Sequence, residues 1–179
     1  VWDPRFSAAG RDGGDAGQFG LIPLLWGTLF ISFVALAVAV PVGLMAAIYM
    51  AEYASKGFRN NVKPVLEILA GIPTIVYGFF ALVTLGPFLR DVGAAIDLTV
   101  SASSVLTAGI VMGVMIIPYV SSLSDDIITA VPQSLREGSL GLGATKSETI
   151  TRVVLPAALP GIVGAILLAA SRAIGETMI

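Results

Sequence analysis

Arg172 and Glu176 are the two charged side chains set inside the last long apolar run, in the stretch SRAIGETM. Four residues apart on a helix they would share a face, and each could neutralise the other. Arg before Glu is the weaker orientation of such a pair for supporting a helix. A guanidinium also presents a planar fork of donors suited to the oxygens of a tetrahedral oxyanion. Both readings, an internal ion pair and an arginine that meets an anion, stay open on the residues alone. Counted from Gly161 or from Leu155 at 1.5 Å per residue, Arg172 would lie roughly 16 to 25 Å along its helix. An arginine at bilayer depth costs from about 2.5 to more than 10 kcal/mol, so it requires a partner or a polar cavity.

Asp125 and Asp126 form the other candidate for chemistry, a paired carboxylate. With no third ligand or base beside them, they are expected to cap a helix N-terminus at a membrane exit. The chain has neither cysteine nor histidine. Disulfides, thiolate and imidazole metal sites, and Ser/His or Cys/His catalysis therefore drop out together. No catalytic residue, no metal and no cofactor is expected. The sequence contains no G-x-x-x-x-G-K-S/T, so it does not cradle ATP phosphates in the usual way. A net charge of −2 supplies no basic patch for nucleic acid.

The elements that must position these residues are apolar. Hydrophobic residues make up 56% of the 179-residue chain and charged residues 12%, against roughly 45 to 50% and 25% in a soluble domain. Lipid is the expected solvent, and an all-α membrane protein, a polytopic helical bundle, the expected fold. About 20 apolar residues cross the hydrocarbon layer, and four runs meet that length: 21–51, 68–89, 98–124 and 153–179. Pro41 is expected to kink the first or end its regular part, leaving a helical extension towards Glu52. Pro73, Tyr77 and Gly78 could bend the second, although Pro and Gly are frequent in membrane helices. Gly109 and Gly113, in G-x-x-x-G spacing, suit close packing against a neighbouring helix.

Lys and Arg are retained on the cytoplasmic side of short loops. Lys56, Arg59 and Lys63 therefore place 52–67 in the cytoplasm, while the next loop carries Arg90 against Asp91 and Asp97. By counting crossings, residues 1–20 are an extracytoplasmic segment, and 125–152, with Arg136, Lys146 and Arg152, is a cytoplasmic loop. The first 20 residues lack the basic n-region and apolar core of a signal peptide, so the spans themselves are expected to insert. The chain opens at Val1 and stops just after the charged pair, and it is expected to be a piece of a longer one.

The loop SDDIITAVPQSLREGSLGLGATKSETITRVVLPAALPG carries local signals for two short helices joined by a glycine break. Pro132 suits a first helical position, and Gly141 and Gly143 end the helix it opens. Thr145 with Glu148 three residues later forms a capping box. The second helix is expected to stop before Pro156, because a residue preceding proline is pushed towards extended geometry. The product is a polar helical elbow between two spans.

Glu137, Gly138 and Ser139, then Gly143, Val153, Leu155 and Pro156, resemble the EAA loop of ABC-importer permeases. Gly138 and Ser139 stand where that family has two alanines, and Val153 where it has isoleucine. The stretches PLLWGTLFIS, LAGIPTIVYGFFAL, MIIPYVSSLSDDII and LLAASRAIGETM extend the likeness over nearly the whole chain, to the phosphate-specific permeases of the PstC type. Compared with that family's usual six spans, the first and last are missing here. The resemblance implies a type I importer permease in the bacterial inner membrane, surrounded by lipid. Its 125–156 segment would couple to separate ATP-binding cassette subunits through Glu137, Gly138, Ser139, Gly143, Val153, Leu155 and Pro156. A second permease would complete a heterodimer, and an extracytoplasmic phosphate-binding protein would deliver the anion. It also implies a role for Arg172 and Glu176 in the phosphate path. The alternatives are an ABC permease for another oxyanion, molybdate or sulfate, and an intramembrane enzyme.

The charge asymmetry of the loops yields a direct test. Cysteines introduced at Ser55 and at Ser147 should react in intact cells only with membrane-permeant thiol reagents. Labelling of either one by an impermeant reagent would reverse the orientation.

Overall fold

The computed structural model describes residues 21–95 and 105–176 of the chain. The expected extracytoplasmic segment 1–20, Asp97 with the start of the third run, and residues 177–179 lie outside the described residues. Among those described, the regular structure is all helical.

The first apolar run forms α1, Leu21–Ile48. It passes through Pro41 without ending and finishes in a π-helical turn, Tyr49–Tyr53. Ser55 then starts α2, Lys56–Ala70, by accepting a hydrogen bond from the Phe58 N–H at 3.3 Å. This helix is amphipathic: Arg59, Asn60, Lys63 and Glu67 alternate with Val62, Val65, Leu66 and Leu69. It stops at Gly71, and Pro73, which disfavours helical geometry at the residue before it, caps the next helix. The helices on either side, Lys56–Ala70 and Thr74–Phe88, cross at 85°. The second expected span, 68–89, starts in the last residues of α2, bends at Gly71–Pro73 and continues from Thr74. The part beyond the bend comprises α3, Thr74–Phe80, a π turn, Ala81–Leu85, and α4, Gly86–Ala95.

The third run gives α5, Val105–Thr129. It continues past the expected boundary at 124, so Asp125 and Asp126 lie inside its last turns and cap no N-terminus. Two short helices come next, α6, Gln133–Gly141, and α7, Lys146–Thr149. Pro132 is the N-cap of α6, one position ahead of the place expected for it.

The expected extended break before Pro156 is absent. Leu155 is helical, at φ −63° and ψ −45°, and its N–H bonds back to the Ile150 carbonyl across a π turn, Ile150–Val154. A π turn adds a residue to the helical ring, and that slack accommodates the missing donor and the bulk of the proline ring. The chain therefore runs as one helix from Lys146 to Gly175, its second part being α8, Leu155–Gly175.

Helices α1, α5 and α8 form the centre. Ala35 and Ala39 of α1, Met112, Met115, Ile116 and Val120 of α5, and Ala169 and Ala173 of α8 make one buried cluster. Ala47, Ile128, Val131, Val154, Ala158 and Ile162 make a second, next to the elbow. The alanines and glycines set the spacing. A β-carbon at Gly109 would lie 2.7 Å from a Val34 methyl, and one at Gly113 would lie 3.0 Å from the Ala35 carbonyl oxygen. A β-carbon at Gly164 of α8 would meet nothing within 4 Å.

Leucine at Gly113 should force α1 and α5 apart at a point where the obstacle is main chain. The expected cost is about 1 to 3 kcal/mol or more. Alanine at Gly164 should change stability by less than about 1 kcal/mol. Thermal unfolding of both variants in detergent checks the contrast, and equal melting temperatures would mean that the α1–α5 contact is not the tight one.

Candidate functional site

The elbow obeys its capping chemistry. Gly143 has a φ of +85°, a conformation that costs glycine nothing. It allows the Ala144 N–H to reach the Ser139 carbonyl at 3.2 Å and the Gly143 N–H to reach the Leu140 carbonyl at 3.0 Å, the double closure of a Schellman motif. Thr145 opens α7 with a full capping box. Its hydroxyl oxygen accepts from the Glu148 N–H at 3.3 Å, and the Glu148 carboxylate accepts from the Thr145 N–H at 2.9 Å. The Thr145 main-chain N–H, and after it the Thr145 hydroxyl, hold the Glu148 carboxyl below its ordinary range. A depressed carboxyl stabilises the fold above its unfolded pKa and loses that contribution as pH falls through the folded value. The box therefore weakens only in acid.

The seven elbow candidates do not form one surface. Glu137, Gly138, Gly143 and Pro156 are exposed, and space is open around Gly138. Ser139 is half-buried, its hydroxyl 3.0 Å from that of Thr149, which ties α6 to α7. Val153 is half-buried in the π turn, and Leu155 packs against the cluster around Ile128 and Val154. At the tip, Leu142 is 91% exposed, with Leu135 and Leu140 half-exposed on α6. Capping arguments missed these leucines, although three leucines set among polar and glycine residues in SLREGSLGLG were the available signal.

A clasp joins the elbow to α1. Glu52, in the π turn that ends α1, forms an ion pair with Arg136 of α6, which also donates to the Ile128 carbonyl at 2.7 Å. Lys146 of α7 donates to the Glu52 carbonyl and sits 5.0 Å from the centre of the Tyr53 ring. A cavity of about 390 Å³ adjoins the clasp, lined in part by Gln133, Thr129 and Thr149.

A second network joins α2 to α5. Asp125 is fully buried, with Oδ2 2.8 Å from Arg59 Nη2 and 3.7 Å from Lys63 Nζ. Asp126 pairs with Lys63, and Arg59 also donates to the Thr129 hydroxyl at 2.9 Å. The basic cluster that the sequence offered as a topological signal is thus also the counter-charge for the two aspartates.

Arg172 and Glu176 are not brought together. The helix ends at Gly175, and Glu176 is extended at φ −76° and ψ 120°, so the facing geometry of an i, i+4 pair is lost. Among the described residues no carboxylate lies within ion-pair range of Arg172. Its Nη2 instead donates to the Ala70 carbonyl at 3.4 Å, and its guanidinium carbon lies 5.4 Å from the centre of the Tyr119 ring, within cation–π range. The Tyr77 hydroxyl donates to the Leu69 carbonyl at 3.2 Å beside it. Arg172 thus stands at the 85° break, level with the middle of α5.

Residues 39–179 match the sequence model of a family described as the inner membrane component of binding-protein-dependent transport systems. The chain belongs to this family. It is 38% identical over 161 residues to the probable ABC transporter permease protein YqgH of Bacillus subtilis, an alignment that covers 90% of this chain and 51% of that protein. It is 33% identical over 176 residues to the phosphate transport system permease protein PstC of Mesorhizobium japonicum, covering 90% and 54%. With PstC 1 of Mycobacterium tuberculosis it shares 38% over 175 residues, covering 89% and 52%. The chain spans about half the length of the curated relatives it matches. In fold it is similar to the MetNI methionine ABC transporter in an inward-facing conformation, with a TM-score of 0.66 and 25% identity over 87% of this chain and 70% of that one. The all-α membrane bundle of importer permeases expected from the sequence is therefore the observed fold, and its family is one of inner-membrane components.

Within this bundle the Asp125 network should be structural. Asn at Asp125 leaves Arg59 and Lys63 facing a neutral buried group and should cost about 3 to 5 kcal/mol. Asn at the exposed Asp126 should cost less than about 1 kcal/mol. Denaturation of detergent-solubilised protein separates the two, and equal losses would show that burial does not decide the cost.

Proposed function

We propose that this chain is the membrane-spanning permease subunit of a bacterial ATP-driven importer of inorganic phosphate. The observation that carries the reading is Arg172: a guanidinium at mid-bundle, held by one long hydrogen bond to a main-chain carbonyl and by an aromatic face. No carboxylate neutralises it among the described residues, so its fork is available to an oxyanion. The phosphate permeases among the chain's relatives favour phosphate over molybdate or sulfate. Glu176, just beyond the helix end, would face the same path rather than neutralise the arginine.

In this reading the chain is a conduit and carries no hydrolytic chemistry of its own. ATP is hydrolysed by partner cassette subunits that grip the elbow at its polar face, Glu137 and Gly138, and at its exposed leucines. An apolar tip on a charged elbow matches the helix-in-groove mode of recognition. The elbow and the Lys56–Lys63 stretch then lie on the cytoplasmic side. A second permease subunit completes the pore, and an extracytoplasmic binding protein delivers phosphate from the opposite face.

The test is uptake by the assembled importer in proteoliposomes. Charge-assisted hydrogen bonds are worth about 1.5 to 3 kcal/mol, so Arg172→Met should lower phosphate uptake roughly ten- to a hundredfold. Arg172→Lys should fall between, since it keeps the charge without the bidentate fork. Wild-type uptake in Arg172→Met would remove Arg172 from the path. Uptake of sulfate or molybdate in place of phosphate by the unaltered importer would overturn the substrate.

A further inference from the structure

The elbow is joined to the bundle by chain at only two places, the turn at Ala130 and Val131 and the π turn Ile150–Val154. Its two helices also converge on a single residue outside it. The Glu52 carboxylate takes Arg136 from α6, and the Glu52 carbonyl takes Lys146 from α7. The side chains of Glu52 and Arg136 are 8% and 14% exposed, so the pair works in a low local dielectric, where solvent screens it little. The carbonyl is available because α1 ends in a π turn, closed by the Ala54 N–H on the Tyr49 carbonyl, and the last carbonyls of a helix have no partner within it. Arg136 adds the Ile128 carbonyl of α5. One residue at the end of α1 thus gathers α5, α6 and α7.

We propose that Glu52 is the positioning residue that makes the elbow and the α1–α5 pair move as one body, so that displacement of the elbow by the ATPase reaches the spans. This rests on the coupling role proposed above for the elbow. Without the clasp, the turn at residues 130–131 and the π turn would flex, and a push on α6 would be absorbed locally. Glu52 lines the cavity that Leu140 also borders, but it is neither one of the exposed elbow residues nor among the groups that hold Arg172. Its loss should leave ATPase docking and the anion site in place while disconnecting them.

The experiment uses the assembled importer in proteoliposomes and reads phosphate imported per ATP hydrolysed. In Glu52→Gln, ATP hydrolysis should stay within about twofold of the unaltered complex while import per ATP falls at least tenfold. The chain has no cysteine, so Glu52→Cys with Arg136→Cys can be bridged by a short bifunctional thiol reagent. The bridged complex should regain import per ATP to within threefold. An unchanged ratio in Glu52→Gln, or a bridged complex that stays uncoupled, would overturn the proposal. If Glu52→Gln fails to assemble, Lys146→Met decides. It alters an exposed side chain, should lower the ratio severalfold, and refutes the proposal if it leaves the ratio unchanged. An unaltered complex that hydrolyses ATP and moves a different oxyanion would sink the substrate reading alone, since the same ratio can then be measured with that anion.

Discussion

Apolar helices in lipid gain little by hiding apolar surface from one another, so close contact must hold them together. In this chain that contact is the approach of α1 to α5, set by Gly109 and Gly113 against Val34, Ala35 and Val38. Everything else is arranged around the resulting pair. The alanines at 35, 39, 169 and 173 let α8 lie in the same plane of contact, and the second cluster near Ile128 carries the packing down to the elbow.

Charge is placed with equal economy. Each buried acid in the network has a basic partner from a different helix: Asp125 has Arg59 and Lys63, and Glu52 has Arg136. Such pairs add little net stability compared with apolar packing, yet they are costly to break on one side. They therefore fix which helix end meets which. Arg172 departs from this rule, being held by a carbonyl and a ring rather than by an acid.

Much of this was legible in the sequence where local chemistry decides the outcome. Gly143 and the Thr145–Glu148 box fixed the elbow's turn and the start of α7, because both are satisfied within a few residues. The failures share a cause. Asp125 and Asp126 resembled a cap because nothing local shows that Arg59 and Lys63, more than 60 residues away, would pair with them. Arg172 and Glu176 stayed open between an ion pair and separate roles because spacing alone assumes a continuing helix. Pro156 resembled a break because proline's penalty is known, whereas the π turn that absorbs it depends on the packing of Val154 and Ile150 into the core. Leu142 passed unnoticed because its meaning lies in exposure, which only the fold assigns.

That π turn has a mechanical consequence. Because it keeps Lys146 to Gly175 helical throughout, the elbow and the Arg172 region become two ends of one lever once the Glu52 clasp keeps the π turn from flexing. From Lys146 to Arg172 the arm is roughly 39 Å at 1.5 Å per residue. A tilt of about 5° at the elbow end would therefore sweep the guanidinium through about 3 Å, roughly the length of a hydrogen bond. An extended break at Pro156 would have left two short rods and a loose joint, and the same tilt would have died out within the elbow.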